Sequence, residues 1–118
     1  MSTVNLVIYG EPASKANSRK MVTNRATGKT MFIKSDKARR YEKDFKMQCP
    51  VLSTLMEGDL KVTITIYYAS RRPDLDESVI LDCMQGMIYV NDRQVKEKHV
   101  KWGLDKENPR SEISICYL

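Results

Sequence analysis

The sequence predicts a single α+β domain over residues 1–118, built from a mixed β-sheet with two main helices. Three patterns carry that expectation. Residues 60–69 alternate strictly, with Leu60, Val62, Ile64, Ile66 and Tyr68 on one side and Lys61, Thr63, Thr65 and Tyr67 on the other, which is the period of a half-buried strand. Ala38, Tyr41 and Phe45 recur at helical spacing inside a run rich in lysine and arginine. Val79, Ile80, Cys83 and Met84 do the same ahead of Gly86, a residue suited to the position just past a helix end.

The remaining elements follow in chain order. Residues 4–9 (VNLVIY) are almost continuously apolar and read as a buried first strand. Residues 10–30 are polar, but KMVT (20–23) and TMFI (30–33) flank NRATGK and predict a β-hairpin with a longer loop. Ser35 suits the N-cap of the first helix, with Asp36 in its first turn. Pro50 should end or kink that helix, and Leu52, Leu55 and Met56 suggest one further turn before Gly58. The second helix is expected over 77–85, a short buried strand over 87–90, and two closing strands over 95–102 and 112–118, joined by the polar turn 105–109. No repeat, linker or low-complexity stretch interrupts the chain.

Hydrophobic residues make up 42% and charged residues 30%, the composition of an ordinary globular domain large enough to form its own core. No apolar run approaches a membrane span, and Met1–Tyr9 lacks a basic n-region and a small-residue cleavage site, so the cytoplasm is the expected location. Cys49, Cys83 and Cys116 are odd in number and widely spaced, which argues against a disulfide framework. His99 is the only histidine, which argues against zinc and against Ser-His-Asp or Cys-His catalysis.

The net charge of +5 is unevenly placed. Residues 1–48 hold eleven Lys and Arg against four acids, a net +7, while residues 49–118 hold nine against eleven, a net −2. A basic half suits phosphate backbones, which it binds by counterion release; an acidic half suits cations. Lys15, Arg19, Lys20, Arg25 and Lys29 are the candidate DNA contacts in the basic half. A solvated lysine-rich surface is the plain alternative.

The segment RRPDLDESVILDCMQGMIYVNDRQV (71–95) carries the chemistry. In extended backbone, residues i and i+2 point the same way with Cα atoms about 6.5 Å apart, so Asp74 and Asp76 can present two carboxylates to one point. Hard cations such as Mg²⁺ prefer such ligands. Arg71 and Arg72 lie just upstream, where guanidinium groups can hold a phosphate. Acids beside arginines suggest metal-assisted phosphodiester chemistry. Asp74 and Asp76 could instead cap the following helix, although one aspartate suffices for that. An EF-hand is excluded, because its sixth position would be Val79 rather than Gly. Asp92 by itself reads as a turn residue. Asp82 falls about 240° around the helix from Asp76 and reads as structural, pairing with a base. Glu77 reads as a solvated first-turn acid, His99 as a surface or phosphate-contacting residue, and Tyr67, Tyr68 and Trp102 as packing or dimer-interface residues.

GEPASKANSRK (10–20), RRPDLD (71–76), a helix ending at Gly86 and VNDRQV (90–95), in this order, resemble the RusA family of Holliday-junction resolvases, crossover-junction endodeoxyribonucleases common in phages and prophages. The resemblance covers most of the chain. It implies that Asp74, Asp76 and Asp92 form the family's catalytic acidic triad and hold Mg²⁺ or Mn²⁺. It also implies a homodimer that nicks two opposed strands of a four-way junction; Arg93, next to Asp92, is a further candidate DNA contact. The sequence departs from the family at Glu77, where Asn is usual, and at ESVI (77–80), which lacks the lysine usual one turn into the helix. The spacing from DLD to Asp92 is also slightly short. The expected function is a divalent-metal-dependent endonuclease on branched DNA. A flap or fork nuclease and a non-catalytic DNA-binding module are the alternatives.

Overall fold

The alternating run at 60–68 becomes the central strand of the molecule. The computed structural model describes residues 3–13 and 19–118. Four strands form the main sheet: β1 (Thr3–Tyr9), β4 (Leu60–Tyr68), β5 (Val95–Leu104) and β6 (Arg110–Tyr117), in the order β1-β6-β4-β5. β6 runs antiparallel to both β1 and β4, whereas β5 runs parallel to β4. A separate antiparallel hairpin joins β2 (Arg19–Thr23) to β3 (Thr30–Lys34). The two helices are α1 (Asp36–Gln48) and α2 (Ser78–Met84). The expected mixed sheet and α+β class are therefore observed.

One face of the sheet is the core wall. Leu60, Val62, Ile64 and Ile66 are fully buried, and register places Leu6, Ile113, Ile64 and Val100 in one cross-strand row. Ala38, Tyr41 and Phe45 of α1 and Val79, Ile80, Cys83 and Met84 of α2 pack against that wall. Ser35 starts α1 as expected, its Oγ accepting from the Ala38 N–H at 3.2 Å. Gln48 docks the far end on β1: its Oε1 accepts from the Tyr9 N–H at 2.7 Å and its Nε2 donates to the Tyr9 carbonyl at 2.9 Å. Gly86 follows α2 with φ of +80°, a left-handed conformation that glycine adopts without a Cβ penalty.

Two expected elements are different. Residues 52–56 do not form a helical turn, and residues 87–90 do not form a strand ladder. The two segments meet each other: the Leu52 N–H donates to the Met87 carbonyl at 2.9 Å, the Met56 N–H to the Ile88 carbonyl at 2.8 Å, and Met56 forms an isolated bridge with Tyr89. Burial of Met56, Ile88 and Tyr89 drives this contact, and it satisfies backbone groups that would otherwise need a local helix or an extended ladder. The aromatics also divide. Tyr68 is buried and stacks on Trp102 with ring centroids 5.8 Å apart, so both are packing residues. Tyr67 lies on the outer face, covered by the Arg110 guanidinium 4.1 Å from its ring centroid.

The Tyr41 hydroxyl and Ser111 Oγ are buried side-chain polar atoms without a well-formed hydrogen bond among the described residues. Burial pushes the tyrosine's pKa up, and only the proximity of Ser111 opposes it appreciably. Removing two buried, poorly paired hydroxyls while keeping the shape is close to neutral or favourable. The double variant Tyr41→Phe, Ser111→Ala should therefore melt at or above the wild-type temperature by calorimetry. Ile64→Ala in the same wall should lose about 2–5 kcal/mol in urea unfolding.

Candidate active site

The parallel pairing of β4 and β5 forces the chain to cross from the end of one strand to the start of the other, and residues 69–94 make that crossing. Its first part is pinned by Tyr68, whose hydroxyl donates to the Asp74 carbonyl at 3.1 Å and accepts from the Asp76 N–H at 3.3 Å. The Trp102 indole donates to the Pro73 carbonyl at 3.1 Å, holding the same segment from β5. Asp74 is exposed; Asp76 is partly buried, and its Oδ1 accepts from the Ser78 N–H at 3.0 Å and the Ser78 hydroxyl at 2.6 Å. Asp76 thus also serves the start of α2. Glu77 pairs with Lys98 at 2.7 Å, so it is more than a solvated acid.

The last part of the crossing is a single 3₁₀ turn, Asp92–Gln94. Gln94 organises it. Its Oε1 accepts from the Val90 and Asn91 N–H groups at 3.0 and 2.9 Å, and its Nε2 donates to the Met56 and Gly58 carbonyls at 2.9 and 3.1 Å. Asn91 Oδ1 accepts from the Arg93 N–H at 2.9 Å, and the Asn91 side chain also accepts from the Gln94 backbone N–H, which completes the capping box. The Asp92 N–H donates to Gln85 Oε1 at 2.9 Å, which sets Asp92 against the C-terminal end of α2.

Asp82 lies there too, with its carboxyl near that of Asp92. Partial desolvation, then the nearby Asp92 carboxylate, hold the Asp82 carboxyl above its ordinary range, against a pull downward from Lys34. The structural reading of Asp82 is corrected in this respect: its neighbours include an acid as well as a base. The acids accordingly fall into two groups. Asp76, Glu11 and Glu77 surround Tyr68, while Asp82 and Asp92 flank Tyr89; after burial, these charges raise the two tyrosines further. A seven-residue helix spans about 10 Å, and α2 stands between the groups. Among the described residues, no set of three or more His, Cys, Asp and Glu side chains is gathered closely enough to hold one metal ion. Asp74, Asp76 and Asp92 all lie on this one crossing.

A cleft of about 490 Å³ opens beside Asp82, lined by Arg19 and Lys34 of the hairpin, Ala38 and Glu42 of α1, and Ser78 of α2. Lys34 pairs with Glu42 across it at 2.8 Å. Arg19, Lys20, Arg25, Lys29, Arg71, Arg72 and Arg93 are all exposed, and Lys15 lies outside the described residues. His99 is exposed on β5 beside Glu97 at 3.1 Å.

A family model described as endodeoxyribonuclease RusA matches residues 10–116. The chain belongs to the RusA family. No curated protein shows a significant match to it. RusA proteins are endodeoxyribonucleases that resolve Holliday junctions, so branched DNA is the substrate class the family implies. No helix of the described residues is long and apolar enough to cross a membrane.

Sequence reasoning missed Asp82, Lys34 and Gln94. Asn91 followed by Gln94 was a readable capping signature. The Asp82–Asp92 contact had no such signal, because its partner comes from a turn outside the helical period. Gln94→Ala removes four hydrogen bonds that shape this turn. It should cost about 1–3 kcal/mol in denaturant unfolding, and it should lower nuclease activity under conditions where the variant remains folded.

Proposed function

We propose that the chain is a divalent-metal-dependent endonuclease that resolves four-way DNA junctions as a symmetric homodimer. What supports this reading is the family match over residues 10–116, a span that contains Asp74, Asp76 and Asp92. The donor chemistry fits Mg²⁺ or Mn²⁺: the residues are carboxylates, and Asp82 and Asp92 are held against each other at the cost of raising one of them. Mg²⁺ commonly takes one or two protein carboxylates and completes its shell with water and substrate phosphate, so a three-acid cage is not required. Asp74, Asp76 and Asp92 would hold the metal, with Asp82 supporting Asp92. When bound, the ion supplies an activated water and neutralises charge at the scissile phosphate.

The chain's own residues supply the rest. Arg71 and Arg72, exposed ahead of the DLD segment, grip a backbone phosphate and align it. Val79 and Ile80 point into the core, so ESVI offers no cation to the site. Arg19 and Lys34 reach the cleft from the hairpin and provide positive charge there instead. Lys34→Ala should reduce cleavage more than junction binding. One crossing serves one strand, and two cuts related by a two-fold axis require a second copy.

Cleavage of synthetic four-way, flap and linear duplex DNA in Mg²⁺, with Ca²⁺ as control, tests the reading. Asp74→Asn, Asp76→Asn and Asp92→Asn should each abolish nicking while junction binding persists or tightens, since each loses a ligand charge and some repulsion against phosphate. An aspartate whose Asn variant cuts at a near-normal rate leaves the proposed site. Asp82→Asn should slow cleavage without abolishing it. Solution mass at assay concentration, with both nicks mapped on a fixed junction, should show a dimer cutting symmetrically. A monomer nicking one strand would point to the flap or fork alternative.

A further inference from the structure

The β2–β3 hairpin stands apart from the main sheet and is tied at its base by Lys34–Glu42 at 2.8 Å and Lys20–Asp36 at 3.4 Å. A two-stranded ribbon left in water gains little by exposing large apolar side chains, yet Phe32 is 70% exposed and Met21 65%. Register makes their position specific. Arg19 faces Lys34 across the ribbon, and Met21 faces Phe32 two residues further along each strand. Directly paired residues share a face, and so do residues two apart. Arg19 and Lys34 line the cleft beside Asp82. The apolar pair therefore continues, outward along the arm, the same ribbon face that borders the acids.

We propose that Phe32 and Met21 form a wedge that stacks on bases exposed at the branch point of the DNA substrate; this rests on the nuclease reading and names how that site would select branched over linear DNA. The occupant follows from charge. Residues 19–34 carry five cations (Arg19, Lys20, Arg25, Lys29, Lys34) and no acid. Two such arms meeting in a dimer would set cations against cations, whereas a polyanion is complementary to the arm on all sides. Inside a continuous duplex both faces of every base are already covered. At a branch the stack is interrupted, and an aromatic face can close the open end without regard to base identity. Apolar side chains inserted at base steps are an established way of holding DNA in a bent or opened form. The cations bind the backbone, and the wedge reads the discontinuity.

Binding of the full chain to a four-way junction and to linear duplex of equal length, in EDTA to prevent cutting, tests this. A 2-aminopurine at the branch point reports base stacking. Phe32→Ala should weaken junction binding about 10-fold, the scale of losing one base–aromatic stack, while duplex affinity and the salt dependence of binding stay at wild-type values. Met21→Ala should act in the same direction, Phe32→Trp should restore junction affinity, and the 2-aminopurine response should be lost only with the alanine variants. Because Phe32 lies outside the core, these variants should melt as wild type does. If wild type cuts junctions but Phe32→Ala keeps the full preference for them, the wedge is wrong and the nuclease reading survives. Conversion of a dimer to a monomer by Phe32→Ala would reassign the face to contact between copies and overturn the wedge. Wild-type protein that neither binds nor cuts branched DNA would overturn both.

Discussion

The parallel pairing of β4 with β5 is the constraint from which the rest of the molecule follows. A parallel neighbour cannot be reached by a tight turn, so the chain must leave the end of β4 and return to the start of β5 across one face of the sheet. Asp74, Asp76, Glu77, Asp82 and Asp92 all lie on that return path. The path is held at both ends by polar groups reaching out of well-packed elements. Tyr68 and Trp102, stacked on each other, hold the backbone of residues 73–76. Gln94 fastens the turn around Asp92 to the carbonyls of Met56 and Gly58. The segment at 52–56 thereby acquires its purpose: it is the inner support on which the second half of the crossing rests.

The central strand was legible because it has a local period, whereas β1, read as buried, is an edge strand with Val7 and Tyr9 exposed. Alternation along 60–68 states which face is buried, and the structure agrees residue for residue. The first helix was equally readable from Ser35 and the Ala38, Tyr41, Phe45 stripe. The contact between 52–56 and 87–90 was not, since it depends on two irregular segments meeting and neither has a period of its own. The site was legible in part. The DLD run and its arginines announced themselves by composition, and Asp92 by its family context. The approach of Asp82 to Asp92 required knowing how far α2 runs before the chain turns back, which no single-sequence pattern encodes. Lys34 escaped notice for a similar reason: it ends a strand of the hairpin, and only tertiary packing brings it to the cleft.

The distribution of acids along the crossing also has an electrostatic logic. Two like unit charges 4 Å apart at a protein surface repel by about 4 kcal/mol. A domain of this size has total stability of only about 5–15 kcal/mol, so several uncompensated carboxylates at one point would threaten the fold whenever no cation is present. The chain accepts one such approach, Asp82 near Asp92, and Lys34 nearby softens it. The other acids stand beyond α2 with their own partners, Ser78 for Asp76 and Lys98 for Glu77. The basic arm obeys the opposite rule. Its cations are exposed and mutually repelling, which is tolerable in water, where screening is strong, and becomes favourable against a polyanion. Acids divided along a pinned crossing and bases presented on an open ribbon are two solutions to one problem: a small domain must hold charge of both signs close to a shared cleft and remain folded before its counterions arrive.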